Sequence, residues 1–275
     1  MKIGIIDSGI DSYFIYKNRI VIKKYADFYI GDESDNYSVV SKRYDANDLA
    51  EWYLYPNTNN FMTDSNGHGT KVLEIISNEY NNGEFIIAKV LNENIRTNSA
   101  SLIKAFEWII DEKPRILNMS PGLLSENGKK ELYDLTLKAL SNNIVICCAA
   151  HHKKSFPAMF DTVMTICNSD FLEKHNDLTR DITGNINVMI DNKVTEKSSL
   201  FKKTSYACAY FSGYLANKLD RDKNLKKKRN DNIKYKIDEI KNMQFEKRTP
   251  LSKKKDKNYL PRSIIKQKRI SKLNE

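Results

Sequence analysis

Six short apolar runs recur between residues 3 and 190 of the chain: Ile3–Ile6, Phe85–Leu91, Arg115–Met119, Ile144–Ala149, Thr162–Cys167 and Ile186–Ile190. Several are apolar enough to be buried on both faces, and strands of that kind belong to parallel sheets covered by helices. The segments between them carry helical spacing: Val72, Ile75, Ile76 and Tyr80; Leu102, Phe106, Ile109 and Ile110; Leu132, Leu135, Ala139 and Leu140. Strand and helix in alternation predict an α/β layered fold. Asp11 to Phe61 follows neither pattern; it is rich in Asp, Asn, Ser and Tyr and reads as loops with a β-hairpin near Ile20–Ile30. There is no internal repeat and no glycine-rich phosphate loop.

Charge divides the chain where hydropathy does not. Residues 218–275 hold 21 Lys and Arg against 8 Asp and Glu, a net +13, which leaves residues 1–217 with a net −3. The expected organisation is a globular domain over 1–217 and a basic C-terminal tail over 218–275, solvated in part, with one amphipathic helix marked by Ile233, Ile237, Ile240 and Met243. Such a tail favours an acidic partner. No apolar stretch approaches the roughly 18 residues that a membrane helix needs, so no membrane span is expected. The strand-like Lys2–Ile6 starts at the N-terminus with no secretory signal before it, and the expected location is cytoplasmic. The 4 cysteines, two of them adjacent at Cys147 and Cys148, form neither a disulfide framework nor a zinc pattern, and read as small buried hydrophobes. No cofactor or metal is called for.

Three polar residues stand where chemistry could be done. Asp7 ends the first apolar run, at the carboxyl edge where an open parallel sheet places its ligands. His68 lies in Asn66-Gly67-His68-Gly69-Thr70, just before a helical pattern, and its flanking glycines leave the imidazole little steric cover. Ser205 opens a helix of small residues, so backbone N–H groups and a positive dipole end point at whatever the serine attacks. Asp7 and Ser205 each have a plain structural reading when taken alone, a turn aspartate and an N-cap. Together, Asp, His and Ser in that order are one arrangement of the charge-oriented serine nucleophile.

On these residues the sequence resembles the subtilisin-like serine proteases. Ile3-Gly-Ile-Ile-Asp7-Ser-Gly-Ile-Asp11 is similar to the family's strand with the catalytic Asp, Gly67-His68-Gly69-Thr70 to its His motif, and Thr204-Ser205-Tyr-Ala207 with Ser212-Gly213 to its serine helix. Ala88-Lys-Val-Leu91, Glu107-Trp108, Ile116-Leu-Asn-Met-Ser-Pro-Gly122 and Asn187-Val-Met189 fall between them in the family's order. The resemblance implies a three-layer α/β/α sandwich with a mainly parallel central sheet. It implies an endopeptidase in which Ser205 attacks, His68 relays the proton and Asp7 orients the imidazole. It also implies that Ser120, Pro121 and Gly122 form the edge on which an extended peptide or protein substrate is bound. Pro121 falls between the two pairing positions, where its missing N–H is tolerated.

The chain departs from the family pattern in three places. Lys203 stands where the family has Gly. His151 aligns with the Asn that stabilises the oxyanion, with His152 one register later. The connection from His68 to Val90 is too short for the calcium-binding insertion of many secreted relatives. Lacking a secretion signal, the chain resembles the intracellular members that trim leader segments from ribosomally made peptides, so limited proteolysis or leader-peptide processing is the expected function. Two alternatives stand beside it: a catalytically weak or inactive peptide-binding relative, which Lys203 and the missing Asn would produce, and a scaffold centred on the basic tail.

Overall fold

The computed structural model describes residues 1–30, 39–44, 48–49, 62–174, 185–190 and 203–225. The elements run β1 (Lys2–Asp7), α1 (Ser12–Asn18), β2 (Val21–Ile30), β3 (Val39–Tyr44), α2 (His68–Glu79), β4 (Glu84–Lys89), α3 (Ser99–Asp111), β5 (Ile116–Met119), α4 (Lys129–Ser141), β6 (Val145–Ala149), β7 (Met164–Asn168), α5 (Ser169–Lys174), β8 (Val188–Ile190) and α6 (Thr204–Leu225). The strands form one sheet in the order β3-β2-β4-β1-β5-β6-β7-β8. Every neighbouring pair is parallel except β2 and β3.

Side-chain alternation along the central strands builds the two outer layers. Ile3 and Ile5 of β1 face one side, clustered with Val72, Leu73 and Ile76 of α2 and with Ala207, Phe211 and Leu215 of α6. Ile6 faces the other, with Leu102, Phe106 and Ile109 of α3 and Leu132 and Leu135 of α4. On β6, Val145, Cys147 and Ala149 join the first cluster, while Ile146 and Cys148 join the second. This is the three-layer α/β/α sandwich, and the doubly buried runs are its central strands. All four cysteines are free and buried. Burial pushes the Cys147 thiol up to about 12 and raises Cys148 and Cys208 well above their ordinary value, so these sulfurs act as apolar packing.

One expectation is refined and one changes. The hairpin read near Ile20–Ile30 is formed by the ten-residue β2 and its antiparallel neighbour β3, with Ile30 opposite Val39, so Ile20–Ile30 supplies its first strand and not its turn. No glycine or proline interrupts residues 20–30, so the chain has no local reason to turn there. The segment after Asp11, read as loop, opens with α1, because the Asp11 carboxylate caps it by accepting the Phe14 N–H at 2.6 Å. At the other end, α6 continues through residue 217 to Leu225. The helix marked by Ile233 to Met243 and the tail beyond it lie outside the described residues.

Candidate active site

The site sits at the carboxyl ends of the central strands. Asp7, the last residue of β1, is fully buried between β4 and β5. Its Oδ1 accepts from the Ser8 N–H at 2.8 Å and meets His68 Nδ1 at 2.6 Å. An ionised carboxylate can only accept, so this short contact places the ring proton on Nδ1 and turns the lone pair of Nε2 outward.

His68 is the first residue of α2, and a polar frame missed in the sequence fixes its backbone. Gly67 is the N-cap in left-handed conformation, φ 72°, and offers no side-chain cap of its own. Asp64 caps in its place, accepting the Gly67 N–H at 3.1 Å on Oδ1 and the Thr70 N–H at 2.7 Å on Oδ2. Ser8 ties this frame to β1, donating to Asp64 Oδ1 at 2.8 Å and accepting the Gly69 N–H at 2.9 Å. A Cβ on Gly69 would lie 2.1 Å from the Gly9 carbonyl oxygen, so only glycine lets α2 start this close to the loop after β1. The glycines therefore serve the backbone and do not uncover the ring; His68 is only 6 % exposed. The readable signal was Asp64, an acidic residue one helical turn ahead of His68.

Ser205 is the second residue of α6, half-buried, and it shares a cleft of about 510 Å³ with His68, Ser120, Gly122, Leu123 and His151. The Lys203 carbonyl accepts the Tyr206 N–H at 3.0 Å and the Ala207 N–H at 3.2 Å. Lys203 thus closes the first turn through its backbone, a role any residue type can fill. Its ammonium lies 5.5 Å from the centre of the Tyr206 ring. The Ser205 N–H falls where a helix supplies no acceptor of its own, the position from which an oxyanion is stabilised. The side chains of Ser205 and His68 face the same cleft with no hydrogen bond joining them, a common separation before substrate is bound.

Ser120, Pro121 and Gly122 leave the end of β5 along the cleft wall. Just beyond them Leu123 is already engaged, exchanging two 2.8 Å backbone bonds with Phe156. The cleft-lining edge at 120–122 is separate from that bridge. Ser120 Oγ is buried there without a hydrogen-bond partner. The gap between this edge and the segment after β6 is narrow: a Cβ on Gly122 would meet Ser155 Oγ at 3.2 Å and His151 Nε2 at 3.3 Å. His151 lines the cleft, whereas His152 is exposed and does not. Burial is the main cause holding the His151 pKa below the ordinary histidine value; the Ser120 backbone raises it and His152 lowers it further. Near neutral pH the ring is uncharged and carries one N–H donor.

The subtilase family model matches residues 1–243. The chain belongs to the subtilase family. In sequence it is 27 % identical over 117 residues to the minor extracellular protease Epr of Bacillus subtilis (strain 168), a stretch that covers 38 % of this chain and 18 % of that protein. In structure it resembles a cold-adapted subtilisin-like serine proteinase, with a TM-score of 0.52 and 16 % identity over 80 % of this chain and 75 % of the other. This subtilase brings Asp7 and His68 into contact at the carboxyl ends of its central strands and places Ser205 in the same cleft as His68. Its α2 passes to β4 through residues 80–83 alone. Among the described residues no group of three or more His, Cys, Asp and Glu could hold a metal ion, and no helix is long and apolar enough to cross a membrane.

Proposed function

We propose that this subtilase is a serine endopeptidase in which Ser205 is the nucleophile, His68 the general base and then acid, and Asp7 the residue that orients and stabilises the imidazole. The observation that carries the reading is the 2.6 Å Asp7–His68 contact beside Ser205 in one cleft. In the forward step, His68 Nε2 takes the Ser205 proton as Oγ attacks the scissile carbonyl. The imidazolium then returns that proton to the leaving amine, and water repeats the cycle on the acyl-enzyme. The Ser205 N–H and His151 are the donors to the oxyanion, and the backbone of Ser120 and Gly122 holds the substrate extended. The test is covalent labelling of Ser205 by a fluorophosphonate, lost in His68→Ala.

The biological role we propose is limited proteolysis in the cytoplasm, with removal of leader segments from peptides as the leading case. A second reading, a peptide-binding protein with weak or no turnover, is favoured by one observation: His151 lines the cleft where the family has the oxyanion Asn. Peptide binding without labelling selects it.

Two outcomes are expected for His151. As an oxyanion donor, its replacement by Ala lowers kcat on the order of 10²-fold and replacement by Asn restores part of the loss, while His152→Ala has little effect. Unchanged turnover of His151→Ala between about pH 5.5 and 8.5 removes it from the machinery. Its low pKa also links it to stability. Below the unfolded-state value of about 6.5 the unfolded chain takes a proton that the folded one resists, so this contribution falls as the pH drops. The Tm of wild type relative to His151→Asn should therefore decrease between about pH 7.5 and 5.5; a difference independent of pH contradicts this.

The basic tail is proposed as an electrostatic docking arm for acidic partners or acidic segments of the substrate. Because α6 reaches Leu225, truncation after Leu225 is the clean test and truncation after Asn217 would cut the helix. The shortened protein should bind an acidic peptide more weakly at low salt, and about 0.5 M salt should erase the difference, since screening then acts within a few ångströms. Equal affinity at low salt leaves the tail without this role.

A further inference from the structure

Tyr206 is adjacent to the nucleophile, yet the reaction as written gives it nothing to do. Its ring lies on the His68 imidazole, with centroids 5.5 Å apart and planes inclined by 28°. The phenol is raised above its ordinary pKa, by burial first and by Asp7 and Asp64 after it, so it stays neutral in the working range. What it offers the histidine is therefore a face of π density and a flat wall.

The Asp7–His68 contact fixes one point of the imidazole and leaves the ring free to rock about it. A wall along one face removes that freedom. The same face carries the negative end of the aromatic quadrupole, which attracts a cation more strongly than a neutral ring. His68 is neutral before proton transfer and cationic during it, so the stack is tighter when the base has done its work. This differential interaction lowers the barrier, where equal attraction to both forms would not. We infer that Tyr206 is a positioning residue for His68, holding the plane of the imidazole and stabilising the imidazolium through its ring face.

The inference rests on the reading of His68 as the base. The charged and titratable groups around His68 come from several elements: Asp7 on β1, Asp64 ahead of α2, Lys203 at the start of α6 and His151 after β6. Asp7 and Asp64 are acidic, and Lys203, over the same tyrosine ring, is basic. When only residue 206 is changed the two carboxylates and His151 remain, while Lys203 loses its ring contact in Tyr206→Leu and keeps it in Tyr206→Phe, so the comparison of the two reads the ring face together with the Lys203 contact on it.

The experiment pairs Tyr206→Leu, which fills similar space without a π face, with Tyr206→Phe, which keeps the face and drops the hydroxyl. The titration of His68, assigned by its loss in His68→Gln, is followed by NMR in each protein, and the rate of fluorophosphonate labelling is recorded over about pH 5 to 9. The leucine variant is expected to titrate about half a pH unit lower and to be labelled about 5-fold more slowly on the plateau, and phenylalanine is expected to restore both. A leucine variant with the wild-type midpoint and rate overturns the inference, as does a phenylalanine variant as impaired as leucine. If the wild type itself is not labelled, the protease reading fails instead, and the His68 midpoints still decide whether the ring acts on the imidazole.

Discussion

Ser205→Ala is expected to leave a folded protein that hydrolyses peptides about 10⁶-fold more slowly in kcat, and His68→Ala to do the same, a loss of the size seen on removing either group from a subtilisin of the same family. The reason is that the two residues act as one unit: a hydroxyl without the base is a poor nucleophile, and the base without the hydroxyl has no acyl acceptor to activate. The double variant should therefore be no worse than either single one. Folding is insulated from the change at Ser205, a half-buried side chain at the first turn of α6, where deleting one oxygen should alter stability by about 0.5 kcal/mol or less. The measurement is kcat for a peptide found by mass spectrometry of a library digested with wild type, with Tm as the folding control. A Ser205→Ala protein that cleaves the same bond at the wild-type rate would show that another residue is the nucleophile.

The parts of this molecule that were legible in the sequence are those held by long-range repetition. The doubly buried runs of β1, β4, β5, β6 and β7 cannot be satisfied by anything except a covered parallel sheet, and the helical stripes between them supply the cover. Motif order then placed Asp7, His68 and Ser205 together, although 61 residues separate the first two and more separate the last pair. What escaped was carried by single polar contacts. α1 is started by one hydrogen bond from Asp11, and the frame around His68 depends on Ser8 and Asp64, 56 residues apart, whose hydroxyl and carboxylate look like ordinary turn residues until the fold brings them to 2.8 Å. Hydropathy carries no record of such pairs. The stack of Tyr206 on His68 escaped for a related reason: an aromatic on a helix of small residues reads as packing, and only the relative placement of α2 and α6 reveals which ring it packs against.

The carboxylate of Asp7 carries the other large expectation. Asp7→Asn should reduce kcat by about 10⁴-fold while leaving the fold intact, the loss coming from the missing counter-charge to the imidazolium and not from the position of His68. In the wild type, Oδ1 can only accept, so Nδ1 of the imidazole holds the proton and Nε2 is free to receive the one from Ser205. In the variant the Ser8 N–H selects the amide oxygen for the site of Oδ1, the same site that His68 Nδ1 meets, and the amide nitrogen takes the place of Oδ2, which has no hydrogen-bond partner. The ring proton therefore stays on Nδ1 and Nε2 stays free, but the imidazolium formed on proton transfer has lost its buried counter-charge. The neutral amide suits a fully buried site, so the fold tolerates the change. The measurement is the ¹⁵N resonance pattern of the His68 ring beside the turnover number. Nδ1 protonated with activity down about 10⁴-fold is the expected pair; a variant that turns over at the wild-type rate would mean that the charge of Asp7 does not support the base, and the role assigned to it would be withdrawn.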